Sequence, residues 1–266
     1  MKFLRFLPLA LASLVFTGCN DKDNASDAAG IQVLLIDAPG DYKAVNIDLQ
    51  KVQVNATDAA GEEGWQDLDV TAGKYDLLKL VNGTYAPIVA GQNFPAGRIQ
   101  QIRLVLGPNN TLTLKDGTTV DLKVPSGQTS GLKVNVNEDL QVGTYYTFVL
   151  DFDVAKSVVA RGNGEYNLKP VIRAVPFALT GNIVGKVMPL AARPQVMAIR
   201  TDIANGDTVN TYTDATGGFK LLGVKVGTYR VEFKAAAPYK DTQRENVTVV
   251  ANSSQPTDLG LITLTE

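Results

Sequence analysis

A chain of 266 residues with 45% apolar residues, 24 glycines and one cysteine has enough apolar surface for two compact β units, and it cannot form an internal disulfide. It contains no histidine, which excludes Ser-His and Cys-His nucleophiles, histidine general bases and nearly every zinc site. Lys and Arg number 25 against 27 Asp and Glu, so no basic field exists to attract nucleic acid. The chain opens with Lys2 and Arg5, runs through an apolar stretch from Phe6 to Phe16, and reaches its only cysteine at Gly18-Cys19. That stretch is too short to span a bilayer and reads as a secretion signal, which is removed.

The residues Leu14-Val15-Phe16-Thr17-Gly18-Cys19 resemble the lipobox of bacterial lipoproteins, with Phe16 standing where leucine is usual. The resemblance implies that residues 1–18 are a lipoprotein signal peptide and that Cys19 becomes the first residue of the mature chain. Its thiol would carry a diacylglycerol, with palmitate among the acyl chains. Several acyl chains, at about 0.8 kcal/mol per buried methylene, hold a soluble domain on a membrane. Asn20 follows where an aspartate would favour the inner membrane, so the resemblance implies the outer membrane, periplasmic or cell-surface face left open. Residues 19–30 are small, polar and acidic and are expected to form a flexible tether. Asp21 and Asp23 have the spacing of a calcium loop, but Ala25 and Ser26 take the places of a ligand and of the turn glycine.

Short alternating segments follow. Val45, Ile47 and Leu49, then Ile102, Leu104 and Leu106, then Leu132, Val134 and Val136 alternate with other residues as half-buried strands do. Lys74 to Leu80 fits a helical turn or a strand equally well. The run Leu112 to Leu122 carries Asp116-Gly117 at its centre and predicts a tight hairpin. Tyr146, Phe148, Leu150, Phe152 and Val154 predict the longest strand, with Asp151 and Asp153 on its solvent face. Many short strands at this spacing point to an all-β chain of two antiparallel β-sandwich domains, residues 31–177 and 178–266.

The second half contains Asp214-Ala215-Thr216-Gly217-Gly218-Phe219-Lys220-Leu221 and Gly227-Thr228-Tyr229-Arg230-Val231-Glu232-Phe233, between Gly181 to Val187 and Leu259 to Leu264. This text resembles the carboxypeptidase regulatory-like, or prealbumin-like, domain. The resemblance implies a seven-stranded sandwich of carbohydrate-binding-like fold, related to starch-binding and collagen-adhesin modules and usually accessory rather than catalytic. The first half carries Asp37-Ala38-Pro39-Gly40-Asp41-Tyr42, Trp65, Asp76-Leu77-Leu78, Pro95-Ala96-Gly97, Pro125-Ser126-Gly127-Gln128, Leu150-Asp151-Phe152-Asp153 and Leu168-Lys169-Pro170-Val171 in order. It resembles the bacterial lipoprotein domain DUF4382, which brings no activity with it.

Candidate ligand contacts are Asp37, Tyr42, Trp65 and Tyr85, rings and a carboxylate in or beside predicted turns, where a ligand can reach them. A single tryptophan with alternating neighbours is more often a packing residue at a sheet edge, and Trp65 fits that reading too. Asp151 and Asp153 leave one face of a strand and could share a cation with Asp37 or Asp41 from a loop, although an ordinary solvent face accounts for them as well. The residues predict no cofactor and no catalysis. They point to an outer-membrane lipoprotein that presents a ligand-binding or adhesion surface, its partners the membrane through its lipid and a carbohydrate or another envelope protein, and not nucleic acid. A structural or assembly role and a carboxylate-dependent hydrolase are the alternatives.

Overall fold

The structure, a computed structural model, describes residues 27–56, 63–125, 131–251 and 255–266. The secretion signal, Cys19, Asn20 and the Asp21/Asp23 pair lie outside the described residues. So does Ser126-Gly127-Gln128 of the first-half text.

The chain is all-β. The first unit contains β1 (Ala28–Ala38), β2 (Ala44–Asn55), β3 (Trp65–Leu68), β4 (Gly73–Asp76), β5 (Ala86–Pro95), β6 (Gly97–Leu106), β7 (Thr111–Thr113), β8 (Thr119–Lys123) and β9 (Leu132–Leu140). It continues with β10 (Tyr145–Asp153), one helical turn α1 (Val154–Ser157), β11 (Val158–Ala160), β12 (Tyr166–Leu168) and β13 (Ile172–Pro176). One sheet has the order β13-β10-β1-β5. The other runs β11-β12-β8-β7-β2-β6-β9, with β3 and β4 also paired to β2. Ile31, Val33 and Leu35 of the first sheet and Val45, Ile47, Leu49, Ile102 and Leu104 of the second are fully buried in one core.

Parity along β2 shows how the sequence encodes this packing. Odd positions 45, 47 and 49 enter the core, and then the even positions Val52 and Val54 do. The ladder to β6 shifts register between Leu49 and Lys51, and that bulge moves the apolar set back to the inner face. The predicted hairpin forms as β7–β8, with Gly117 at φ 94° and the Thr118 N–H donating to the Asp116 carboxylate at 2.8 Å. Lys74 to Leu80 is strand and then helical turn: β4 followed by a 3₁₀ turn over Leu77–Lys79.

Three expectations change. The first unit begins before residue 31, because Ala28, Ala29 and Gly30 already belong to β1, where Ala29 is buried and pairs with Phe94. The antiparallel pattern is broken where β1 runs parallel to β10, β8 to β12, and one further pair in the second unit, all pairings between segments distant in sequence. The longest strand is β2, with 12 residues, and β10 is buried on both sides from Phe148 to Phe152, so Asp151 does not lie on a solvent face.

The second unit contains β14 (Thr180–Met188), β15 (Gln195–Arg200), β16 (Thr208–Tyr212), β17 (Gly218–Lys225), β18 (Gly227–Lys234), β19 (Thr242–Val249) and β20 (Thr257–Thr263). Its sheets have the orders β17-β14-β20, where β14 and β20 are the parallel pair, and β16-β15-β18-β19. Phe219 and Phe233 meet edge to face at 5.6 Å in its core, and the buried Tyr229 donates its hydroxyl to the Lys225 carbonyl at 2.8 Å. The Asp214 carboxylate accepts from the Thr216 and Gly218 N–H groups and closes the turn into β17, with Gly217 at φ 81°. Among the described residues no ladder joins the strands before Pro176 to those after Thr180.

The two units dock through the outer face of the first sheet. Gly223 of β17 lies against Val149 and Ile36 with no room to spare, and the Arg173 guanidinium donates to the Gly223 carbonyl at 3.2 Å. Asn82, in the left-handed region at φ 52°, plugs into the second unit. Its amide oxygen accepts from the Lys220 N–H at 2.6 Å and its own N–H donates to the Thr211 hydroxyl at 3.0 Å.

Candidate functional site

Where the two units meet, the alternation of β1 and β10 leaves Gln32, Leu34, Ile36, Thr147 and Val149 facing outward, and the second unit covers them only in part. The result is a cleft of about 300 Å³. Its floor is Leu34, Ile36 and Val149. Its walls carry two exposed rings, Tyr85 from the loop before β5 and Phe177 from the segment that joins the units, 52% and 40% exposed. Lys220, Leu222 and Asn182 complete it from the second unit.

Polar groups are sparse here and one lacks a partner. Thr147 donates to the Gln32 amide oxygen at 3.1 Å, and the Gln32 amide nitrogen donates to the Ala90 carbonyl at 3.3 Å. The Asn182 side-chain oxygen is buried and accepts no hydrogen bond. Such a group is costly unless a ligand or water meets it. Ile36, Lys220 and Leu222 also line a smaller, inner cavity of about 10 Å³, room for one water, whose wall includes Asp37 and Asp151. There a second orphan occurs, the Asp37 Oδ2.

The predicted residues fall in different places. Tyr85 lines the cleft. Asp37 is a residue of β1 rather than of an open turn, and it is 4% exposed behind the cleft. Its Oδ1 accepts the Val154 N–H at 3.2 Å. Burial pushes its carboxyl up to about 9, with the carboxylates of Asp151, Asp153 and Asp76 adding and the Val154 bond opposing. Tyr42 is half-buried against the first core, so it offers little to a ligand. Trp65 opens β3, on the other sheet and away from the cleft, with the Arg103 guanidinium 4.2 Å from its ring centroid and the Lys133 ammonium 5.4 Å.

The shared-cation reading of Asp151 and Asp153 is corrected. Asp151 is bound to Arg173 at 2.8 Å, and Asp153 caps α1 through the Lys156 N–H while its other oxygen meets the Lys156 ammonium at 2.7 Å. Two carboxylates already neutralised by their own cations leave no open ligand set, and among the described residues no group of three potential ligands forms. In the charged groove beside them all three carboxylates are likewise paired, Asp207 with Lys225 at 2.9 Å, and the lining carries no ring. Phe177 and Asn182 were missed by sequence reasoning. An aromatic residue in the joining segment Pro176-Phe177-Ala178-Leu179 was the one available signal.

The family model described as domain of unknown function DUF4382 matches residues 28–170. A comparison with curated proteins finds no match. The chain is similar in strand-rich build to the Bacillus anthracis TIE protein, at 11% identity over 90% of this chain and 34% of that one, TM-score 0.24. It is also similar to the streptococcal ancillary pilin, at 12% over 88% and 62%, TM-score 0.23, and to GBS52, the minor pilin of Streptococcus agalactiae, at 12% over 88% and 94%, TM-score 0.23. It thus spans about a third of the first protein's length and three-fifths of the second's. Likeness at this level says nothing about function.

Proposed function

From a chain that belongs to the DUF4382 family, we propose a lipid-anchored, non-catalytic binding protein of the bacterial outer membrane, with the cleft between its two β units as the ligand seat. The observation that carries this reading is the cleft itself: two exposed rings over an apolar floor. The carboxypeptidase regulatory-like resemblance of residues 178–266 fits an accessory module that supplies one wall of the seat. Carbohydrate and another envelope protein are the partner classes.

A hydrolase is disfavoured on chemical grounds. The buried carboxylates Asp37 and Asp151 face a cavity the size of a water molecule, and Asp151 is held by Arg173.

The seat is tested with protein carrying 3-fluorotyrosine, the Tyr85 resonance being assigned by its loss in Tyr85→Phe. Members of a neutral fragment library should shift that resonance selectively. A library that moves none removes the seat.

The anchor is tested separately. Cys19→Ser is expected to abolish palmitate labelling and membrane association, since no helix among the described residues is long and apolar enough to cross a membrane. A labelled, membrane-bound variant would refute the lipid anchor.

A further inference from the structure

Resting on the cleft as the ligand seat, we propose that its ligand is an acidic pyranose, a hexuronate-type sugar whose ring lies against Tyr85 and Phe177 and whose carboxylate meets Lys220. Each wall imposes a separate requirement. The apolar floor of Leu34, Ile36 and Val149 and the two rings favour C–H surface, which rules out a purely polar anion such as phosphate. A polar requirement comes from the edge of the floor, where the ligand must bring an O–H or N–H donor. The Thr147 hydroxyl, already donating to Gln32, has lone pairs for a second donor. A pyranose meets these demands at once, with C–H faces and hydroxyl edges on one rigid frame, and rigidity limits the ordering cost of binding.

Charge selects the acidic form. Lys220 projects from the exposed face of β17 along the wall shared by the cleft and the inner cavity, and no ion pair engages it among the described residues. Arg173 and Asp151 neutralise each other behind it. Burial keeps Asp37 protonated at neutral pH. The field at the cleft is therefore positive by one ammonium group, which draws a carboxylate and repels an amino sugar.

The experiment uses the fluorotyrosine-labelled protein without its signal segment, titrated with methyl glucuronide, methyl glucoside and glucosamine. The glucuronide is expected to shift Tyr85 and to bind more tightly than the glucoside, with glucosamine weakest. Tyr85, exposed and outside the core, tolerates replacement. In glucuronide saturation-transfer measurements Tyr85→Ala should weaken binding about tenfold, Tyr85→Phe should stay within a few-fold, and Lys220→Met should level the glucuronide with the glucoside. Equal binding of the three sugars, no binding of the glucuronide, or binding indifferent to Tyr85→Ala overturns the proposal. If neutral fragments shift Tyr85 while the glucuronide does not, the sugar class falls and the seat stands; if neither does, both fall.

Discussion

Replacing Arg173 by Ala is expected to lower folding stability by about 3–5 kcal/mol at neutral pH, the cost of leaving a buried charge without its partner. Asp151 is 6% exposed, and its Oδ2 receives the Arg173 Nη2 at 2.8 Å across the β10–β13 ladder, where the two residues stand in register. The same guanidinium reaches the Gly223 carbonyl of the second unit, so the substitution also cuts a bond between the units. Adding Asp151→Leu to the variant should restore much of the loss, because removing both charges removes the desolvation penalty as well. Urea unfolding of wild type, single and double variants measures this. A single variant within 1 kcal/mol of wild type would show that water reaches Asp151 freely.

Asp37→Asn should act in the opposite direction and with a distinctive pH dependence. The folded protein holds the Asp37 proton up to about pH 9, whereas the unfolded chain releases it near 3.8. Between those values the folded state binds more protons, so stability falls as pH rises, by at most about 1.4 kcal/mol per unit for this group, and the full contribution is present only below 3.8. Asp67, Asp214 and Asp241 work the other way. Hydrogen bonds from Lys51, from Thr216 and from the Ala235 N–H hold them below their usual range, so their contribution is lost only in acid. A window from pH 5 to 9 therefore leaves these three out, and comparison with the amide variant within it reads Asp37. The amide should stabilise the protein on the order of 2 kcal/mol at pH 8, less at pH 5, and flatten the profile. Parallel profiles for the two proteins would mean that Asp37 is not the group responsible.

The sequence carried the half-buried strands well, because one covered face leaves a period of two: β2, β6 and β9 are legible from Val45, Ile102 and Leu132 onward. It carried β10 less well. Asp151 looked like a solvent-facing residue because alternation reports only that two faces differ, and a second unit lying on the polar face leaves no local mark. The same holds for the parallel pairing of β1 with β10, whose partners lie more than a hundred residues apart. Of the site, Tyr85 was legible as a ring beside a turn. Phe177 and Asn182 were not, since each becomes informative only when the units close on one another. Trp65 misled for a related reason: flanking turn residues suggested access, while its ring is engaged by cations from two neighbouring strands.

The position of β1 also decides how the protein carries a mechanical load. The strand is flanked on both sides, by β10 running parallel and β5 antiparallel, from its first residues: the Gly143 N–H binds the Ala28 carbonyl and the Ala96 N–H binds that of Asp27. Tension entering through the residues before Ala28 pulls along the strand axis and strains both ladders in shear, many hydrogen bonds at once, instead of unzipping them singly. A chain tugged from its amino end would resist at its middle strand first, with the cleft still closed around whatever it holds.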